Sequence, residues 1–574
     1  MLRTISFRLL ILVLTLVIAA GSVEAKRKTF DELCVEILET LQTFYPVKSS
    51  YKGNHHYDMR LADYSSKSVR AMVGKLNGYE KDLHRFKKAN LSAEQQLNLK
   101  LIKANVDIAL QDLQRIKWHT RSPMLYVDEA LGGVYSLVVS DYAPLQEKRV
   151  FILSRMKSVP GLFSTARRNL KNVSPIYIEA AVESLESTSE FYREVGAVLM
   201  HEFPDKANDI LKTVTAAREA MNDFSVFLTD MQPGEETAFA IGKTDFDYKL
   251  SNQFFLDYDS DSLLRLGESL LADAQAAYLT QKEYVEYEHQ NGRDSVFVPA
   301  SFARQDILDY YQWETDQVRI FCEQSEFITI PEDIAPVTVV ETPPALRSMV
   351  PGIAYEPPGI LDTTQHGFFY VRPLPEEMER PQLEARYRYV HRRGFKGSVV
   401  HEAFPGHHLQ FQLAAQTKDP VRMWQDNDQM IEGWALYCEE AVYEAGLYGT
   451  EDPAHWLNIL GGIRYRAARI VSDVKLHTGQ FTPEECFDWM VEVLETDSES
   501  GRQYLKKEIR KQTLNPTNRM SYLTGKMEIM KLRDAAFMQK GTDFDLQTFH
   551  DEINSFGLIP PALLWEQMGL TKTN

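Results

Sequence analysis

The sequence predicts a mostly α-helical fold, a large helical bundle divided by a deep cleft, with a small β-sheet beside one histidine-rich helix. Three observations carry this reading. Residues 30 to 330 repeat apolar side chains at helical spacing between polar breaks. Prolines crowd residues 331 to 358, and a short aromatic, β-branched run follows at 367–371. From Leu383 onward the helical periodicity returns.

The elements follow in chain order. Arg3 and Arg8, an apolar run from Leu9 to Ala20 and a Val23-x-Ala25 pattern have the layout of a secretory leader over residues 1–25, with the mature chain beginning near Lys26. The apolar run is shorter than the ~20 residues that span a bilayer, so the expectation is export, periplasmic or extracellular, without stable membrane insertion after cleavage. The remaining chain divides into a helical amino-terminal half, 26–330, and a half carrying the chemistry, 331–574. With 574 residues, 44% hydrophobic and 25% charged, it can bury a large interior. A formal net charge of −18 argues against nucleic acid as a partner, since such binding draws on Lys and Arg set against phosphates.

Within the first half, Ser92-x-x-Gln95 reads as a capping box that opens a helix, and Leu263, Leu266, Leu270 and Leu271 continue the periodicity. Pro331, Pro336, Pro343, Pro344, Pro351, Pro357 and Pro358 exclude a long helix and favour extended or turning chain. Gly367–Val371 then suits a strand, and Pro373 just beyond it suggests an edge position. An edge strand could pair with an extended peptide, Tyr370 and Phe369 lining the substrate cleft; equally, Phe368 and Phe369 could fill a core. Cys34, Cys322, Cys438 and Cys486 show no C-x-x-C spacing, which excludes a cysteine-ligated metal site of that kind and leaves room for at most two disulfides.

The chemistry gathers in the last third. His401-Glu402-Ala-Phe-Pro405-Gly406-His407-His408 sets three histidines and a carboxylate within eight residues. A zinc helix of the H-E-x-x-H type puts its histidines at i and i+4, one turn apart, so that both reach one ion. Here the next histidines come at i+6 and i+7. On an unbroken helix His407 would point roughly 120° away from His401, and His408 would lie ~10 Å further along. Pro405 and Gly406 can interrupt the helix and bring a ligand back into register, which favours His407 and leaves His408 as the alternative metal ligand. Met430-Ile-Glu432-Gly433-Trp434-Ala435 offers a further carboxylate on a second helix.

These residues carry a resemblance. Glu432-Gly-Trp-Ala resembles the Glu-Gly-Phe-Ala segment of gluzincin zinc aminopeptidases, whose Glu completes a two-His, one-Glu site; the resemblance implies Glu432 as third ligand. The stretch from about His401 to Lys526 more specifically resembles an uncharacterised bacterial family of the DUF885 type with an H-E-x-x-P-G-H-H signature, distantly similar to helical zinc peptidases. It implies a gluzincin-like bundle that binds Zn2+ through His401, His407 and Glu432, with Glu402 as general base on a peptide substrate. By the same analogy Tyr522, in Ser521-Tyr-Leu-Thr-Gly525-Lys526, would donate to the oxyanion.

Arg469, Asp473 and His477, at i, i+4 and i+8, form either a buried ion-pair network or a face that presents His477 to the cleft as a catalytic group. No P-loop, G-x-G-x-x-G or G-x-S-x-G pattern is present, so nucleotide use and serine hydrolysis lack support. Two other readings share these residues. A metalloamidase or esterase acting on a non-peptide substrate is separated by a substrate screen, and a noncatalytic binding protein with a degenerate metal site by metal content.

Overall fold

In the computed structural model, described for residues 28–88, 90–290, 304–343, 346–347, 352–374, 378–384, 395–447 and 453–572, the chain is mostly helical with one small sheet. The leader expected over residues 1–25 lies outside the described residues. The longer helices of the first half are α1 (Phe30–Phe44), α2 (Ser66–His84), α3 (Ala93–Leu110), α4 (Met124–Val139), α5 (Leu145–Asn169), α6 (Pro175–Glu202), α7 (Ala207–Asp230), α8 (Ser260–Gln290) and α9 (Arg304–Gln324). Those of the second half are α10 (Phe395–Glu402), α11 (His407–Ala415), α12 (Asp428–Glu444), α13 (Pro453–His477), α14 (Pro483–Val493), α15 (Glu499–Leu514) and α16 (Asn518–Lys540).

Local sequence accounts for several helix starts. Ser92 accepts from the Gln95 backbone while the Gln95 side chain returns to Ser92, the reciprocal capping expected there, and Thr29 with Glu32 does the same for α1. Buried positions on α1, Leu33, Ile37, Leu38 and Leu41, recur at helical spacing. Helices α4 to α7 pack together in the first half, α8 lies along α13, and α12 lies along α16.

The proline-rich stretch supplies two strands, β1 (Val337–Glu341) and β2 (Ile353–Glu356), which flank β3 (Gly367–Val371) in the order β1-β3-β2. β1 runs parallel to β3 with Val337 opposite Gly367; β2 runs antiparallel with Ile353 opposite Val371. The expectation of an edge position for β3 is therefore corrected. It is the central strand, because Pro373 falls two residues past its end and both its edges are already paired. A substrate cannot add to β3, and its side chains serve the interior: Phe369 is fully buried and meets Tyr311 edge-to-face at 5.7 Å, and Tyr370 is buried as well.

One apolar core runs through both halves, from Phe30 and Leu33 to Leu564 and Leu570. Polar clasps reinforce it across long separations. Asn98 donates to Asp419 at 2.7 Å, Lys52 donates to the Gln425 carbonyl at 2.9 Å and pairs with Asp426, and Lys100 pairs with Glu566. All four cysteines are buried free thiols. Among the described residues, no helix is long and apolar enough to cross a membrane.

Candidate metal centre

Helix α10 ends at Glu402 and α11 begins at His407, so the chain turns between the histidines instead of continuing as one helix. Gly406 makes this turn. Its amide donates to the Val400 carbonyl at 3.0 Å, and a Cβ at this position would lie 2.2 Å from that oxygen and 2.1 Å from the carbonyl oxygen of His401. Only glycine fits there. Trp434 holds the turn from below, donating its indole N–H to the Pro405 carbonyl at 2.8 Å. The Trp of the Glu-Gly-Trp-Ala run thus secures the other half of the site.

The turn brings His407 beside His401, their rings 4.7 Å apart and nearly perpendicular. Glu432 of α12 completes a group of three whose ligand atoms all lie within 4.8 Å of one another. Its Oε2 is 3.4 Å from His401 Nε2 and 3.7 Å from His407 Nε2. Two ligands about 2.1 Å from one tetrahedral zinc are about 3.4 Å apart, so the spacing suits an ion better than direct hydrogen bonds. Glu432 Oε2 and His407 Nδ1 are buried with no hydrogen-bond partner among the described residues, which is costly unless something answers them.

His401 is oriented from behind: its Nδ1–H donates to Glu439 at 2.8 Å, leaving Nε2 facing Glu432. Burial alone would lower the His401 pKa, but Glu432 and Glu439 outweigh it and raise it to about 10. Glu432, despite its burial, is held well below the usual carboxylate range by the two imidazoles. Glu439 was not assigned a role from sequence. Its spacing of seven residues from Glu432 on one helix, two turns along the same face, is the signal that could have found it.

Helices α12 and α16 touch backbone to backbone. A Cβ on Gly433 would sit 2.6 Å from Gly525 Cα, and one on Gly525 would sit 2.1 Å from the Gln429 carbonyl oxygen. This contact explains both glycines and sets two matched rungs one turn apart. Asn518 donates to Asp428 at 2.7 Å, and one turn further on Tyr522 stands near Glu432, whose charge acts on its phenol. Burial first, and then ionised Glu432, push the Tyr522 pKa up, so its proton stays available for donation. The Arg469 guanidinium lies 4.3 Å over the Tyr522 ring.

Glu402, next to His401, accepts from the Tyr355 amide of β2 at 3.0 Å, which is how the sheet positions it. His401 and Glu402 line a cavity of about 390 Å³ together with Glu439, His455, Asn458 and Arg466.

The structure thus brings His401, Glu402, His407, Glu432 and Tyr522 together and sets four other candidates apart. His408, the alternative ligand, is buried on the far side of the turn: its Nε2–H donates to the Ala335 carbonyl at 2.8 Å and its Nδ1 accepts from Tyr355 at 3.0 Å. Neither nitrogen is left for a metal, and burial pushes its pKa down to about 4. His477 is a core residue, not a cleft residue. It donates to the Gln512 carbonyl at 2.9 Å and packs against Phe239 and Phe246. Its neighbour Asp473 is equally structural, accepting from the Thr517 and Met520 amides at the start of α16. Phe369 and Tyr370 are interior side chains of the central strand, as the sheet order requires.

A helical fold with two histidines and a carboxylate converging at one buried point defines a protein with a candidate metal centre. The chain belongs to the family described as bacterial protein of unknown function (DUF885), which it matches over residues 46–568. Among solved structures it is similar to a proposed lipoprotein of unknown function from Shewanella oneidensis, with a TM-score of 0.75 at 20% identity, covering 94% of this chain and 100% of that one. A proposed lipoprotein from Colwellia psychrerythraea matches with a TM-score of 0.75 at 17% identity, covering 94% and 98%. At these identities the likeness shows the fold alone. No curated protein matches the chain.

Proposed function

We propose that this protein is a zinc-dependent hydrolase that cleaves peptide bonds in short peptides, exported through the leader pattern at residues 1–25. The observation that carries the reading is the convergence of His401, His407 and Glu432, with ligand atoms within 4.8 Å and, among the described residues, no hydrogen-bond partner for Glu432 Oε2. The donor set of two imidazoles and one carboxylate is that of a catalytic zinc, which keeps a position open for water.

Zinc bound there would supply a Lewis acid that lowers the pKa of a water and polarises a carbonyl. The chain's own residues do the rest. Glu402 takes the proton of the attacking water and passes it to the departing amine. Tyr522 donates its hydroxyl hydrogen bond to the oxygen that gains negative charge. Glu439 fixes the ring of His401, and Arg469 beneath the Tyr522 ring helps hold that phenol in place.

The test is elemental analysis of the purified chain beside turnover of a mixed peptide library. Wild type is expected to carry about one zinc and to cleave, and His401→Ala to lose the metal. Glu402→Gln should keep zinc and lose about 100- to 10,000-fold in rate. Full activity in Glu402→Gln would sink the assignment.

A further inference from the structure

The cavity beside His401 has a wall that the metal reading does not use. It is built by one face of α13, where His455, Asn458, Ile459, Gly462 and Arg466 follow at helical spacing, and by Gly397, Ser398, His401 and Glu402 of α10. Its volume of about 390 Å³ falls at the small end of ligand pockets. Gly462 matters to its shape, because a Cβ there would stand 3.0 Å from Arg466 Nη1.

Among the described residues Arg466 is the only guanidinium lining this cavity, and its protein partners hold it loosely. Nη1 donates to the Gly462 carbonyl at a long 3.4 Å, Nη2 forms an ion pair with Glu439 at 3.7 Å, and Nε is buried without a partner among the described residues. Arg155 in the first half shows a guanidinium that serves structure alone: Nε reaches the Arg60 carbonyl at 3.1 Å, Nη1 the Gly133 carbonyl at 2.6 Å, and Nη2 Ser50 at 2.5 Å. A planar guanidinium held by two long contacts, in a residue-sized polar cavity beside the reacting centre, can turn its fork to a carboxylate.

We propose that Arg466 binds the free α-carboxylate at the C-terminus of a peptide substrate, so that the enzyme releases the last residue of the chain. This rests on the zinc-peptidase reading above. Water adds across the last peptide bond: its oxygen joins the acyl carbon, the C–N bond breaks, and the proton taken by Glu402 goes to the amine of the released amino acid. The side chain and carboxylate of that residue occupy the α10–α13 cavity, with Asn458 and His455 on its wall.

The experiment compares two N-acetylated tetrapeptides, one ending in a free acid and the other in an amide, binding to zinc-loaded Glu402→Gln measured by calorimetry. The acid is expected to bind roughly tenfold to a hundredfold more tightly, the scale of a hydrogen bond to a charged group. That preference should vanish in Glu402→Gln/Arg466→Ala and survive in part in Glu402→Gln/Arg466→Lys, with zinc content measured in each. Equal binding of acid and amide before Arg466 is touched overturns the proposal, as does a preference that persists without Arg466, which would place the carboxylate on the metal. If the preference and its loss are seen but wild type cleaves neither peptide, the carboxylate site stands and the peptidase reading falls.

Discussion

His55 is held between Asp58 at 2.9 Å and Asp362 at 2.7 Å, whereas His401 bonds Glu439 at 2.8 Å and stands off from Glu432 at 3.4 Å. Around His55 the network closes on itself: Asp58 also accepts from Ser50 and Tyr142, and Asp362 from the Gly359 amide. Around His401 it stays open, with Glu432 Oε2 and His407 Nδ1 unanswered among the described residues. Both groups combine imidazoles with carboxylates, so composition does not tell them apart. What separates these two clusters is whether their polar atoms are satisfied by described residues of the protein.

The comparison breaks most sharply if metal is found at the wrong cluster. His401→Ala should abolish zinc binding and turnover together, while His55→Ala should leave zinc content at the wild-type level; elemental analysis of both variants decides. Next in size, Tyr522→Phe should keep its zinc and lose about 100- to 1,000-fold in kcat, the cost of one oxyanion donor, read from steady-state kinetics.

The closed cluster answers to pH instead. Burial works to lower the His55 pKa, but Asp362 and Asp58 outweigh it and raise it to about 9, above the ordinary value of 6.5. A folded-state pKa above the unfolded one means the contribution is fully present below about pH 6.5 and is lost as pH rises through about 9. Its upper bound is about 3 kcal/mol. Denaturant melts of wild type and His55→Asn should differ most near pH 6 and converge towards pH 10; a constant gap would show that His55 contributes packing alone. The smallest effect belongs to Glu439→Gln, which should weaken zinc affinity by about 10- to 100-fold in competition with a chelator, since it orients a ligand without being one.

Much of the open cluster was legible in the sequence because its parts are local. His401, Glu402 and His407 lie within seven residues, and Glu432 stands in a recognisable run. The choice between His407 and His408 depended on the backbone path, which is set by how Gly406 packs against two carbonyls and how Trp434 grips Pro405; neither contact shows in spacing. The strand at 367–371 was found, but its place in the sheet was not, because its two partners come from a proline-rich stretch that looks unlike strands. His477 shares its helix with Arg469, yet eight residues is not a whole number of turns, and the rotation carries it into the core beside Phe246. The closed cluster is only partly local: Asp58 follows His55 by three residues, but Asp362 stands 307 residues away.

The clasps between the halves have a consequence for how the molecule is made. Asn98 meets a partner 321 residues downstream, Lys52 one 374 residues away and Lys100 one 466 residues away. At about 5 to 20 residues synthesised per second, Lys100 exists for roughly 20 to 90 s before Glu566 is added. Helices α1, α2 and α3 can pack on one another as they emerge, but the cover that Pro420–Met423 gives α1 and α3 arrives only later. These contacts therefore form after the first half has been made. A product truncated before residue 419 lacks that cover and is expected to aggregate more readily than the longer chain, so a chaperone that holds nascent chains has most to offer during that interval.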